Sequence, residues 1–171
     1  MRLITTTSVL IMALASSPAV ADDGTVHSRG ALSDLQTATV EPTDGAWAVI
    51  AAIRTADQTT VVLNLKDLDR AYAGVTYGAH VHSGTCQTGI GAAAGPHFNI
   101  DVYNGSVTPV VSEDTEVWLD FTVTEGGTGH AQAIVPFAIP GGAASAIVIH
   151  AMPTAPNGTA GARLACIAVE F

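Results

Sequence analysis

Residues 77–99, YGAHVHSGTCQTGIGAAAGPHFN, hold three of the chain's six histidines and one of its two cysteines. His80 and His82 are separated by one residue. In a strand, that spacing sends both imidazoles to the same face. His97 follows a stretch rich in Gly and Ala, so a third imidazole can fold back toward the first two. Imidazole clusters of this kind suit copper and zinc. A His-x-His pair alone is a weak signal, since many strands carry one by chance. Joined to the GPHFN block at residues 95–99 and to a matching segment near the C-terminus, it is a strong one.

The chain that must position these residues has 171 of them. Residues 1–21 carry one basic side chain, Arg2, an apolar run at 9–15, and Ala19, Val20 and Ala21 ahead of Asp22. That is the anatomy of a secretory signal peptide cleaved after Ala21. The run is too short to span a bilayer, so no membrane attachment is expected after cleavage. What remains is enough for one domain with a real core. Residues 22–34 read as a flexible N-terminal arm and residues 35–171 as the domain. Without Arg2, the six basic side chains become five against fifteen acidic ones, a net charge of −10. Such a surface repels nucleic acid and anionic membranes. Two cysteines in an exported chain suggest one disulfide, Cys86–Cys166. The expected location is the periplasm or the extracellular medium.

The remaining pattern is of short strands. Residues 35–40 alternate weakly and form a first strand. Residues 42–45, Pro-Thr-Asp-Gly, are a turn. Residues 47–55 and 59–65 are apolar, β-branched runs that read as a hairpin. Residues 67–74 are a charged connection with room for one helical turn. Residues 75–82 form the strand that brings in His80 and His82. Residues 100–111 are broken repeatedly by polar residues and Pro109. Residues 116–124 alternate, with Val117, Leu119, Phe121 and Val123 on one side. Strands follow over 130–139, 145–151 (ending near His150) and 162–171. No amphipathic helix of ten residues is visible. Eight short strands separated by turns predict an all-β Greek-key barrel or sandwich.

Four blocks carry a family resemblance: GAHVH at 78–82, GPHFN at 95–99, IVIH at 147–150 and GARLAC at 161–166. In this order and with roughly this spacing they resemble copper/zinc superoxide dismutase, over residues 46–171. The resemblance implies an eight-stranded, superoxide-dismutase-like Greek-key fold. It implies that His80, His82, His97 and His150 are ligands of one copper ion per chain. His97 matches the histidine that bridges copper and zinc in the bimetallic enzymes. Arg163 matches the arginine that draws superoxide toward copper, and Cys86 and Cys166 match the intrasubunit disulfide. The family includes dimers and monomers, so a homodimer is compatible with it.

Two departures point to the copper-only branch. The family's zinc site needs two further histidines and an aspartate after the bridging histidine, and no histidine occurs between His97 and His130. Asp120 lies near the position of the zinc aspartate, but one carboxylate and one shared imidazole do not make a zinc cage. Zinc is therefore not expected. The loop between His150 and Arg163 is short and uncharged, whereas the bimetallic enzymes have a longer loop with charged residues that guide the substrate. Without zinc, the outer nitrogen of His97 needs a partner that fixes its tautomer. Glu113, Asp114 and Asp120 are the candidates, against the plainer reading that this segment is a solvated acidic turn.

Dismutation needs a metal that cycles between two oxidation states, which copper does and zinc does not. The leading expectation is thus an exported copper-dependent superoxide dismutase acting on the superoxide anion, with His97 and Arg163 as catalytic residues. Arg163 would supply a permanent positive charge on an acidic surface; a structural ion pair is its plainer role. The alternative is a superoxide-dismutase-like domain that binds or stores copper with little dismutation. A third reading, a metal-free scaffold, is opposed by the four histidines.

Overall fold

The computed structural model describes residues 24–171; the leader expected over residues 1–21 lies outside the described residues. In chain order the strands are β1 (Thr25–Ala31), β2 (Ser33–Asp34), β3 (Trp47–Arg54), β4 (Thr59–Lys66), β5 (Thr76–Tyr77), β6 (Ala79–His82), β7 (Phe121–Thr122), β8 (Gly129–Val135), β9 (Ala146–His150) and β10 (Arg163–Ala168). They form two four-stranded sheets, β1-β3-β4-β8 and β2-β10-β9-β6, and a small β5-β7 pair. Every ladder is antiparallel. The chain crosses between the sheets repeatedly, as Greek-key connections do. The expected all-β fold is observed as a sandwich whose sheets do not close into a barrel. No helix among the described residues is long and apolar enough to cross a membrane.

The expected hairpin is β3-β4, in register from Trp47 opposite Lys66 to Arg54 opposite Thr59. Its alternating residues explain the pairing: Ala48, Ile50, Ala52, Val61, Leu63 and Leu65 turn inward and are buried. They meet Val81, Ile147, Ile149, Leu164 and Ile167 from the second sheet, with Val117, Leu119 and Phe121 completing one core.

Ten segments pair where eight strands are expected. Residues 25–31, read as part of a flexible arm, are β1, which pairs with β3 over seven residues. Only alternate residues of β1 are partly covered, and its polar side chains hide the period. The strand expected over 35–40 is absent. Pairing with β10 stops at Asp34, whose Oδ1 accepts from the Gln36 amide at 2.6 Å and turns the chain. The strand expected over 75–82 is split at Gly78. Residues 116–120 make only isolated bridges, Asn99 to Glu116 and His80 to Trp118. Residues 100–103 form one helical turn, Ile100–Tyr103, capped by the Asn99 side chain.

The outer face of the second sheet is not left to water. Residues 83–95 fold back over it, with the Gly84 amide donating to Ala94 O (2.8 Å) and the Thr85 amide to Ala93 O (2.9 Å). A Cβ on Gly84 would collide with the Ala93 carbonyl and with Ala94, so this return requires glycine. Beneath this roof Leu35, Ala94, Val148 and Cys166 form a second, small apolar cluster. The Cys86–Cys166 disulfide, with Cα atoms 5.6 Å apart, pins the roof to β10.

Candidate metal centre

The histidines stand on this roofed face. His80 and His82 are alternate residues of β6, and His150 ends the neighbouring β9. In the β6-β9 register, His82 lies opposite Ala146 and His80 opposite Val148. His97 arrives from the return of the roof and bridges to His82 by a single antiparallel pairing. The result is one group, His80, His82, His97 and His150, whose potential ligand atoms all lie within 4.8 Å of one another. His80, His82 and His150 are buried, while the His97 side chain keeps 19% of its surface.

The hydrogen bonds settle which nitrogen of each ring faces inward. His82 Nδ1 lies 3.1 Å from Gly95 O, and His150 Nδ1 lies 3.3 Å from Gly161 O. A carbonyl only accepts, so both Nδ1 atoms carry the proton and both Nε2 atoms keep a lone pair. His97 Nδ1 donates to Glu116 Oε2 at 2.9 Å, leaving Nε2 unprotonated in the neutral ring. Around His80 the order is reversed. Thr154 Oγ1 gives its single hydrogen to Asp120 Oδ1 at 2.5 Å, so the hydroxyl oxygen accepts from His80 Nε2 at 2.7 Å. His80 Nδ1 is then a lone pair, fully buried and without a hydrogen-bond partner. His82 Nε2 and His150 Nε2 sit 3.2 Å apart with both lone pairs inward. Two such nitrogens cannot bond each other; they can share a proton or a cation.

The surroundings favour neutral rings. Burial, and then the neighbouring imidazoles, pushes His80 down to about 2. Burial pushes His82 to about 3, against the Gly95 carbonyl and with help from His97 and Arg163. His150 falls to about 4, mainly through burial. For Glu116, burial favours the neutral acid, but the bonds from His97, Trp118 and Asn99 outweigh it and the net shift is downward. An ionised carboxylate thus sits behind His97.

The partner of His97 is therefore Glu116, not Glu113, Asp114 or Asp120. Glu116 also accepts from Trp118 Nε1 at 3.0 Å and from Asn99 Nδ2 at 3.3 Å. Glu113 and Asp114 are exposed and line a shallow cavity beside Trp118 and Thr154. Asp120 serves His80 instead, through Thr154. The correction has a signal in the sequence. Burial of Val117, Leu119 and Phe121 in the core turns Glu116, Trp118 and Asp120 to the opposite side, toward the histidines. Thr154 has no comparable signal.

Arg163 opens β10 and lines a cleft of about 460 Å³ with His97, His150 and Glu116. Its Nη1 donates to Gly91 O and its Nη2 to Gly95 O, both at 2.6 Å. The Gly95 carbonyl therefore faces both Arg163 and His82. Arg163 clamps the roof by carbonyls rather than by the carboxylate that a structural ion pair would need. His130, outside the cluster, is an exposed residue of β8 bonded to Asn64 Oδ1 at 2.8 Å.

No protein-family model matches the chain, and no curated protein matches it. Among solved structures, the crystal structure of the clock protein EA4 is similar, with a TM-score of 0.54. The similarity covers 85% of this chain and 92% of that one at 15% sequence identity. At that identity the likeness is one of fold.

Proposed function

We propose that this protein is an exported, copper-only superoxide dismutase. The observation that carries the reading is the inward convergence of four lone-pair nitrogens, three Nε2 and one Nδ1, with each opposite ring nitrogen held by a protein acceptor. The buried, unpartnered Nδ1 of His80 fits a cation at that point. Four imidazoles suit Cu(II), which accepts tetragonal nitrogen sets. Copper, when bound, supplies the one-electron cycling that converts two superoxide anions and two protons to oxygen and hydrogen peroxide.

The chain's own residues do the rest. His80, His82 and His150 would hold the ion from a buried sheet face. His97, the least buried of the four, takes and returns a proton at Nε2 while Glu116 keeps its Nδ1–H in place. Glu116 occupies the role that zinc plays for the bridging histidine of the bimetallic enzymes. Arg163 gives the mouth of the cleft a fixed positive charge, which draws a small anion toward His97 and His150 against the acidic surface. The short loop lines this cleft with Asn157, Gly158 and Thr159 and adds no charge to it.

The test is to load the purified protein with copper, count the metal and follow superoxide decay. One copper per chain with fast decay, slowed by Arg163→Ala, is the expected result. Copper without decay would make the protein a copper store, and no copper uptake would end the reading.

A further inference from the structure

Three of the four histidines are held by a direct acceptor: two main-chain carbonyls and the Glu116 carboxylate. His80 is held by a hydroxyl. Resting on the copper reading above, the geometry points to Thr154 as a positioning residue that selects the metal-facing nitrogen of His80.

The chain of bonds has one direction. Asp120 accepts twice from Thr154, from the amide into Oδ2 at 2.7 Å and from the hydroxyl into Oδ1 at 2.5 Å. The main-chain bond fixes the residue and the side-chain bond uses up the only hydroxyl hydrogen. What the hydroxyl offers His80 is then only a lone pair. His80 must donate Nε2–H to it, and Nδ1 is left facing the cluster. Turning the hydroxyl the other way would leave a half-buried carboxylate oxygen without that donor and make the ring nitrogen the acceptor.

The backbone is built to allow this approach. At Gly78, a Cβ would lie 2.9 Å from Thr154 Oγ1, 2.9 Å from Met152 O and 2.8 Å from the Ala160 side chain. The Gly78 amide donates to Met152 O at 2.9 Å, and its carbonyl accepts from the His150 amide at 2.8 Å. Gly78 thus splits the expected strand where the short loop must descend to put one hydroxyl beside His80. The loop between His150 and Arg163 carries no charge. It borrows Asp120 from another segment and passes its effect on through Thr154.

The tautomer can be read without metal. In metal-free protein with ¹⁵N-labelled histidine at neutral pH, His80 is expected as the Nε2–H form with an unprotonated Nδ1. Thr154→Val, close in shape but without the hydroxyl, should shift that signature toward a mixture of tautomers. It should also weaken Cu(II) binding 10- to 100-fold in chelator competition and change the Cu(II) EPR hyperfine splitting. Thr154→Ser should restore the wild-type affinity to within about threefold, which a lost packing contact alone would not predict. A wild-type His80 protonated at Nδ1 overturns the inference, needing no variant. So does a Thr154→Val protein with unchanged spectra and affinity. Failure of the wild-type protein to take up copper would instead strike the copper reading, and the NMR signature would still decide the relay.

Discussion

The two sheets of this sandwich bury their inner faces alike and treat their outer faces differently. In β3 the outward residues Trp47, Val49 and Ile53 are exposed, and in β8 Ile134 is too. In β6 and β9 every residue is buried, on both sides. The second sheet has its outer face roofed by residues 83–95 and by the loop after His150. A roofed face can hold polar side chains out of water, but each must find a partner or bear the cost of desolvation. That is why the histidines here come with assigned acceptors, while His130 on the open face needs only Asn64 and solvent. The histidine cluster sits where the loops cover the sheet, and the cover must be held down.

Acid is the strongest way to break this contrast. Unfolded, each buried histidine titrates near 6.5; folded, His80, His82 and His150 are pushed to about 2, 3 and 4. Between those limits the unfolded chain binds protons first. Stability of the metal-free protein is therefore full above about pH 6.5 and falls as the pH falls below it. The slope is up to about 1.4 kcal/mol per pH unit for each histidine. Urea unfolding at pH 7.5, 6.0 and 5.0 should show this loss, and bound copper should move it to lower pH because the metal takes neutral rings. A flat profile would mean that the rings are hydrated and the roof stands open.

Next in size is the pin. The disulfide closes a loop of 80 residues, for which chain entropy gives roughly 4–5 kcal/mol. Replacing Cys86 and Cys166 together by Ser should lower stability on that order in denaturant unfolding. It should also loosen copper retention, because His97 and the Gly95 carbonyl both ride on the pinned segment. Loss of stability with copper retention intact would separate the roof from the site and weaken the comparison.

The same contrast explains what could be read in advance. The four histidines were legible because strand period and local spacing put His80 and His82 on one face, and because each lies in a recognisable block. The hairpin was legible because its open face alternates with its core face. The roofed side was not. Glu113 and Asp114 stand nearer His97 in sequence than Glu116, yet they lie before the residues whose core face is fixed by Val117 and Leu119. Glu116 could have been chosen by following that alternation to its polar side. Thr154 could not, since its place depends on the close approach of two loops over Gly78 and on a carboxylate 34 residues away. Strand β1 was hidden for the opposite reason: its cover is so slight that it left no apolar period.

The smallest expected effect tests the open face itself. Ile53 is 53% exposed on the outward side of β3, opposite Thr25 on one neighbour and Thr60 on the other. Ile53→Thr keeps a β-branched side chain in a strand, removes no inward contact of the core and puts a hydroxyl where water already reaches. The change should lie within about 0.5 kcal/mol of wild type in denaturant unfolding. It should leave copper affinity untouched, because β3 belongs to one sheet and the strands that carry His80, His82 and His150 to the other. A cost several times larger, growing with protein concentration, would show this face covered by a second copy. The difference between the sheets would then lie in what covers each face, a partner chain on one and the protein's own loops on the other.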